Sequence, residues 1–123
     1  MSKPTEILLS IPRLTPSNNV LLRMHYMARH LLNAIWLWEV TAAALEIKEA
    51  IPMPIKKERR VVKIISYRPR RYDPENNSGG LKPLLDALKK RNLIYDDHEK
   101  YIDLQPEQVV DKDNQRTEVI ISW

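Results

Sequence analysis

From Tyr26 to Ala50 the chain runs 25 residues without a glycine or a proline, and Ala, Leu and Glu are abundant there. The stretch predicts one long helix, because these residues lose little conformational freedom in a helix and nothing interrupts its hydrogen-bond ladder. One face holds Ala28, Leu31, Leu32, Ile35, Trp38, Ala42 and Leu45 at three- and four-residue spacing. A second apolar set, Trp36, Val40, Ala43 and Ile47, falls partly off that face. A helix apolar over more than half its circumference needs two covers. A sheet is expected to supply one and a second subunit the other.

The rest of the chain is read around this helix. Glu6 to Leu14 predicts a strand stopped by Pro12, and Thr15-Pro16-Ser17-Asn18-Asn19 a loop of turn formers. His25 and His30 stand at the start of the long helix, where a solvated or capping role is expected. Pro52 and Pro54 end that helix. Arg59 to Arg68 predicts a strand with β-branched bulk at Val61, Val62, Ile64 and Ile65. Tyr72 to Gly80 reads as a loop containing both glycines of the chain, which suggests backbone conformations that other residues resist. Pro83 suits the first turn of a second helix with Leu81, Leu84, Leu85 and Leu88 as its buried stripe, ended by Asn92. Tyr101 to Val110 and Arg116 to Trp123 predict two strands joined as a hairpin through Asp111-Lys112-Asp113-Asn114, with Pro106 marking a bulge or an edge. The order β-α-β-α-β-β predicts a single α+β domain, a mixed four-stranded sheet with helices packed on it.

With 123 residues the chain is long enough to bury a core without staples. It has no cysteine, which excludes disulfides, zinc–thiolate sites and thiol catalysis. The apolar run Ile7 to Ile11 is too short for a signal peptide, and no run approaches the roughly 20 residues of a membrane span. A cytoplasmic location without membrane contact is the expectation. The net charge of +4 is unevenly placed. Between Lys56 and Arg71 stand Lys56, Lys57, Arg59, Arg60, Lys63, Arg68, Arg70 and Arg71 against Glu58 alone, a local charge of +7. A basic strand that feeds an acidic loop is the pattern of a phosphate-binding surface, although a protected edge strand has the same composition.

The acidic loop carries the chemistry. Asp73 and Glu75 alternate on it, and Asp97 lies beyond the second helix beside Asp96. If that helix folds back on the preceding strand, the two acidic ends meet. Carboxylates of this kind suit Mg²⁺, a hard cation that keeps several waters. A bound divalent ion polarises a phosphoryl oxygen and activates water, and Lys82, at the start of the helix, would favour charge on a phosphate. The same residues are also ordinary turn formers. A calcium-binding EF-hand loop is excluded, since Ser78 stands where its glycine belongs and Leu84 where its glutamate belongs.

These motifs resemble the RusA family, the phage-derived Holliday junction resolvases, over most of the chain. Pro16-Ser17-Asn18-Asn19 is similar to the family's P-S-N-N motif. Asp73-Pro74-Glu75-Asn76, Leu81-Lys82, Asp86-Ala87-Leu88 and Asp96-Asp97 follow its D-x-D-N-L-x-K-x-x-x-D-A-L…D-D signature in order. The chain departs from it at Glu75, where the family usually has aspartate, and in extra residues within Asn77 to Gly80. The resemblance implies a homodimeric endonuclease that uses Mg²⁺, with Mn²⁺ as the alternative, to nick a four-way DNA junction symmetrically. Asp73, Glu75 and Asp97 match the metal ligands, and Lys82 the catalytic lysine. The basic strand implies backbone contacts to branched DNA, through Lys63, Arg68, Arg70, Arg71 and Lys82. Two other readings stay open: a dimer that grips branched DNA without cutting it, and an interaction module whose apolar helix docks a partner.

Overall fold

The computed structural model describes residues 5–55 and 58–123. Its eight elements are β1 (Glu6–Ile11), α1 (Asn18–Arg23), α2 (Tyr26–Leu45), β2 (Arg60–Arg68), α3 (Pro74–Gly79), α4 (Lys82–Lys90), β3 (Ile102–Val110) and β4 (Arg116–Ser122). The four strands form one mixed sheet in the order β1-β4-β2-β3, with β4 antiparallel to both β1 and β2 and β3 parallel to β2. The expected α+β domain is therefore what forms.

Strict alternation decides which side of the sheet is covered. Ile7, Leu9 and Ile11 of β1, Val62 and Ile64 of β2, and Val119 and Ile121 of β4 point into one core beneath α2 and α4. The stripe of α4 buries Leu84, Leu85 and Leu88 as expected, with Leu81 just ahead of it, while Lys82, Lys89 and Lys90 stay exposed. At the end of α4 Asn92 adopts φ 60°, and the Leu93 N–H donates to the Leu88 carbonyl at 3.0 Å, a left-handed cap that Asn tolerates.

Several expectations are corrected. β3 and β4 do not form a hairpin, because β2 lies between them and β3 becomes the edge that Pro106 tolerates. The turn chemistry at Asp111 is nonetheless real: its Oδ1 accepts from the Asp113 and Asn114 N–H groups. Helix α2 stops at Leu45, not Ala50, because Ile47 and Ile51 turn back onto the core. Two short helices occupy stretches read as loops. Ser17 caps α1 by accepting from the Val20 N–H, and Asp73 caps α3 with Pro74 following it.

The largest correction concerns α2. The residues it buries in the core are Trp36, Val40 and Ala43, which belong to the second apolar set. Leu31, Trp38 and Leu45 of the other face are 64%, 74% and 77% exposed. His25 caps this helix, its Nδ1 accepting from the Met27 N–H. Among the described residues no helix is long and apolar enough to cross a membrane.

Candidate functional site

Strand β2, the α3–α4 pair and the parallel strand β3 make one β-α-β crossover. It folds the acidic motif back on itself at the start of α4. Lys82, in the first turn, donates from Nζ to Asp97 Oδ2 at 2.5 Å and lies 3.0 Å from Asp86 Oδ1 one turn further on. The hydrogen bond to Asp97 is the chief reason the Lys82 ammonium titrates above its ordinary range; burial opposes it and Asp86 adds to it. Lys82 is therefore a fixed cation at neutral pH, not a proton acceptor. Beside it the Asp97 N–H donates to Asp96 Oδ1 at 2.7 Å, and Lys89 approaches the same oxygen at 3.3 Å. That N–H bond is the main cause that holds the Asp96 carboxyl below its usual range.

The other acids of the motif are placed differently. Asp73 turns to Asn76, accepting from its backbone N–H at 2.9 Å and its side-chain amide at 3.1 Å. Glu75 is exposed in the first turn of α3. Among the described residues no three acidic or histidine side chains gather as metal ligands. The carboxylates have the donor chemistry for Mg²⁺ or Mn²⁺, but Asp73, Glu75 and Asp97 are not arranged around a common point, so the expected ligand set is not formed here. His25 and His98 each accept a local backbone N–H and take no part in it.

A second group of residues, the paired asparagines and the two glycines already noted in the sequence, holds the loop ahead of α1 onto α3. Asn76 Oδ1 accepts the Asn19 N–H at 3.1 Å, so one amide joins Asp73 to the P-S-N-N segment. Both glycines serve close approach, and neither has a positive φ. A Cβ on Gly80 would lie 1.7 Å from the Pro16 carbonyl oxygen, and one on Gly79 would lie 2.5 Å from Asn18 Cγ. The paired asparagines and paired glycines were the available signals; their meaning is mutual packing.

The basic stretch is corrected most. Arg68 does not face solvent. It is 1% exposed and donates to the Thr15 carbonyl (3.0 Å), Thr15 Oγ1 (2.9 Å) and Asn77 Oδ1 (3.0 Å), with its guanidinium 4.0 Å from the centre of the Tyr72 ring. Arg60 is likewise buried, held by Glu58 and by the Leu93 and Pro52 carbonyls. The cause is the period of two in β2: residues 60, 62, 64, 66 and 68 all point to the core. Lys63, on the other face, pairs with Glu107 at 3.4 Å, and Arg59 donates to the Glu99 carbonyl. Lys56 and Lys57 lie outside the described residues. Arg70 and Arg71 remain exposed, immediately ahead of Asp73. Arg70 lines a cleft of about 350 Å³ with Leu14, Tyr72 and Gln115, and Arg71 lines a smaller one of about 130 Å³ against Pro106 and Gln108. In comparison with known proteins, no family model matches the chain and no curated protein matches it, so the residues and their geometry carry the functional reading.

Proposed function

We propose that the chain is a RusA-like, structure-specific endonuclease that acts on four-way DNA junctions as a homodimer. The observation that carries this reading is the meeting of Lys82 with Asp97, fifteen residues apart in sequence, with Asp86 completing the group. Three separate positions of the motif thus converge at one helix end, next to the loop that bears Asp73 and Glu75. In this reading Arg70 and Arg71 hold the DNA backbone and Lys82 stabilises charge on the phosphate under attack. Arg68 drops out as a DNA contact because it is buried, whereas Lys63 keeps its place in the reading, since its pairing with Glu107 is a surface one. Mg²⁺, or Mn²⁺, is the ion the reading assigns to Asp73, Glu75 and Asp97.

A second reading is a dimer that binds branched DNA without cutting it, favoured by the engagement of Asp73 with Asn76 and of Asp97 with Lys82. The two part in one experiment, in which a labelled four-way junction and a linear duplex of the same sequence are incubated with Mg²⁺, Mn²⁺ or chelator. Paired nicks confined to the junction, abolished by chelator and by Asp97→Asn, are the expected result. Lys82→Ala should slow them about 10²- to 10³-fold. Salt-sensitive junction binding with no product under either metal would move the chain to the binding reading.

A further inference from the structure

Helix α2 has two apolar faces on opposite sides of its cylinder. Trp36, Val40 and Ala43 are spent in the core. Ala28, Leu31, Ile35, Trp38, Ala42 and Leu45 recur at 3-4-3-4-3 spacing, which is the seam of a helix that pairs with another helix. At 3.6 residues per turn Trp38 and Val40 lie about 200° apart, so the sheet that covers one cannot cover the other. The seam is about 26 Å long by helical rise. Leu31, Trp38 and Leu45 are its exposed large members, and Ile35 is half-buried between them.

The order of side-chain sizes along the seam selects the partner. We infer that α2 pairs antiparallel with α2 of a second copy of this chain, about a two-fold axis that passes between residues 36 and 37. In that register Ala28 meets Leu45, Leu31 meets Ala42 and Ile35 meets Trp38, so the four outer layers set a small side chain against a large one and the two central layers set Ile35 against Trp38. Facing layers that alternate in this way interdigitate at core density. Parallel pairing would stack Trp38 on Trp38 and leave Ala28 on Ala28 and Ala42 on Ala42, overfilled at one layer and void at two.

A second observation fits the same register. Trp38, Thr41, Ala42 and Leu45, at i, i+3, i+4 and i+7, line an open apolar hollow of about 120 Å³ on the surface of α2. Four residues at that spacing form the hole of knobs-into-holes packing. Leu31 of the second copy is the side chain the register delivers there. Thr41 needs nothing from it, since its hydroxyl already donates to the Leu37 carbonyl at 2.7 Å. The charges agree as well: the flanking acids Glu39 and Glu46 fall opposite Leu32 and His25 of the second copy, so no like charges meet.

This pairing deepens the dimer of the nuclease reading and rests on that reading only for its use, so the two are tested apart. The full chain is expected to sediment as a dimer at tens of micromolar. Leu31→Glu with Trp38→Glu should weaken that dimer at least tenfold to a hundredfold while the far-ultraviolet spectrum is retained. Because the chain has no cysteine, direction can be read by cross-linking. Ala28→Cys and Leu45→Cys proteins, oxidised as a mixture, should yield the mixed disulfide and little homodimer of either kind. A monomer at all concentrations, or cross-linking of each variant with itself alone, would overturn the pairing. Cross-linking without junction cleavage would sink the nuclease reading and leave the pairing standing; cleavage by a monomer would do the reverse.

Discussion

The two ends of β2 each bury an arginine, and they do it by different means. At the first end Arg60 has a carboxylate, Glu58, together with two backbone carbonyls and the Trp123 ring 4.5 Å away. At the other end Arg68 has only uncharged oxygens and the Tyr72 ring, and its Nε finds no partner. Burial accordingly lowers the Arg68 guanidinium below its ordinary range. Neutral acceptors compensate a buried cation less completely than a carboxylate does. Arg60 ties strand to strand support, whereas Arg68 spends an incompletely compensated charge to join Thr15 to Asn77, the two segments that carry the P-S-N-N loop and the acidic motif.

That contrast can be broken most forcefully where the Arg68 end is packed. Gly80→Ala drives a Cβ into the Pro16 carbonyl and should cost about 3 to 4 kcal/mol in chemical denaturation, with the loop displaced from α3. Next, Arg68→Met orphans three buried acceptors and should cost about 3 kcal/mol; adding Asn77→Leu should recover part of it, because one of those acceptors then disappears. Arg60→Met should cost less, about 1 to 2 kcal/mol, because Glu58 is a quarter exposed and regains water. Equal losses at the two arginines would remove the distinction drawn here.

The smallest effect is expected at Asp111, whose N–H donates to the Arg68 carbonyl at 2.7 Å. The Asn114 and Asp113 N–H groups, in that order, hold its carboxyl below the usual range. A depressed folded pKa contributes stability that is present above the unfolded value, near pH 4, and is lost as pH falls through the lower folded value. Asp111→Asn should therefore flatten the stability–pH curve below about pH 4 and leave it nearly unchanged at pH 7. An unaltered acid limb would show that the turn at this end contributes nothing to it.

Much of this was legible in the chain, and the failures have physical causes. The α4 stripe was readable because its polar residues admit one buried face. The faces of α2 were not, because both are apolar, and the one with the cleaner spacing is the one the sheet leaves open. Arg60 and Arg68 share a period of two with Val62 and Ile64, which was the available sign of their burial; charge obscured it. The hairpin between β3 and β4 failed because turn residues report a turn, and say nothing about which strand inserts between its arms. For the site, Lys82 and Asp97 meet because the helix folds back on the preceding strand. The gathering of Asp73, Glu75 and Asp97 did not follow, since spacing along a helix and a loop leaves their mutual distance undetermined.

The position of β1 in the sheet bears on how the chain is made. Among the described residues its only strand neighbour is β4, with Glu6 opposite Ser122 and Ile11 opposite Thr117. β1 therefore has no strand partner until β4, which follows all the other elements described here, has been synthesised. Contacts of such sequence separation close late, after a large loss of chain entropy, and slow folding. Until then Ile7, Leu9 and Ile11 form an unpaired apolar strand beside a helix whose outer seam is also uncovered. The nascent chain is thus most open to aggregation before β4 emerges and pairs, when a chaperone that shields β-strand edges would have the greatest effect on yield.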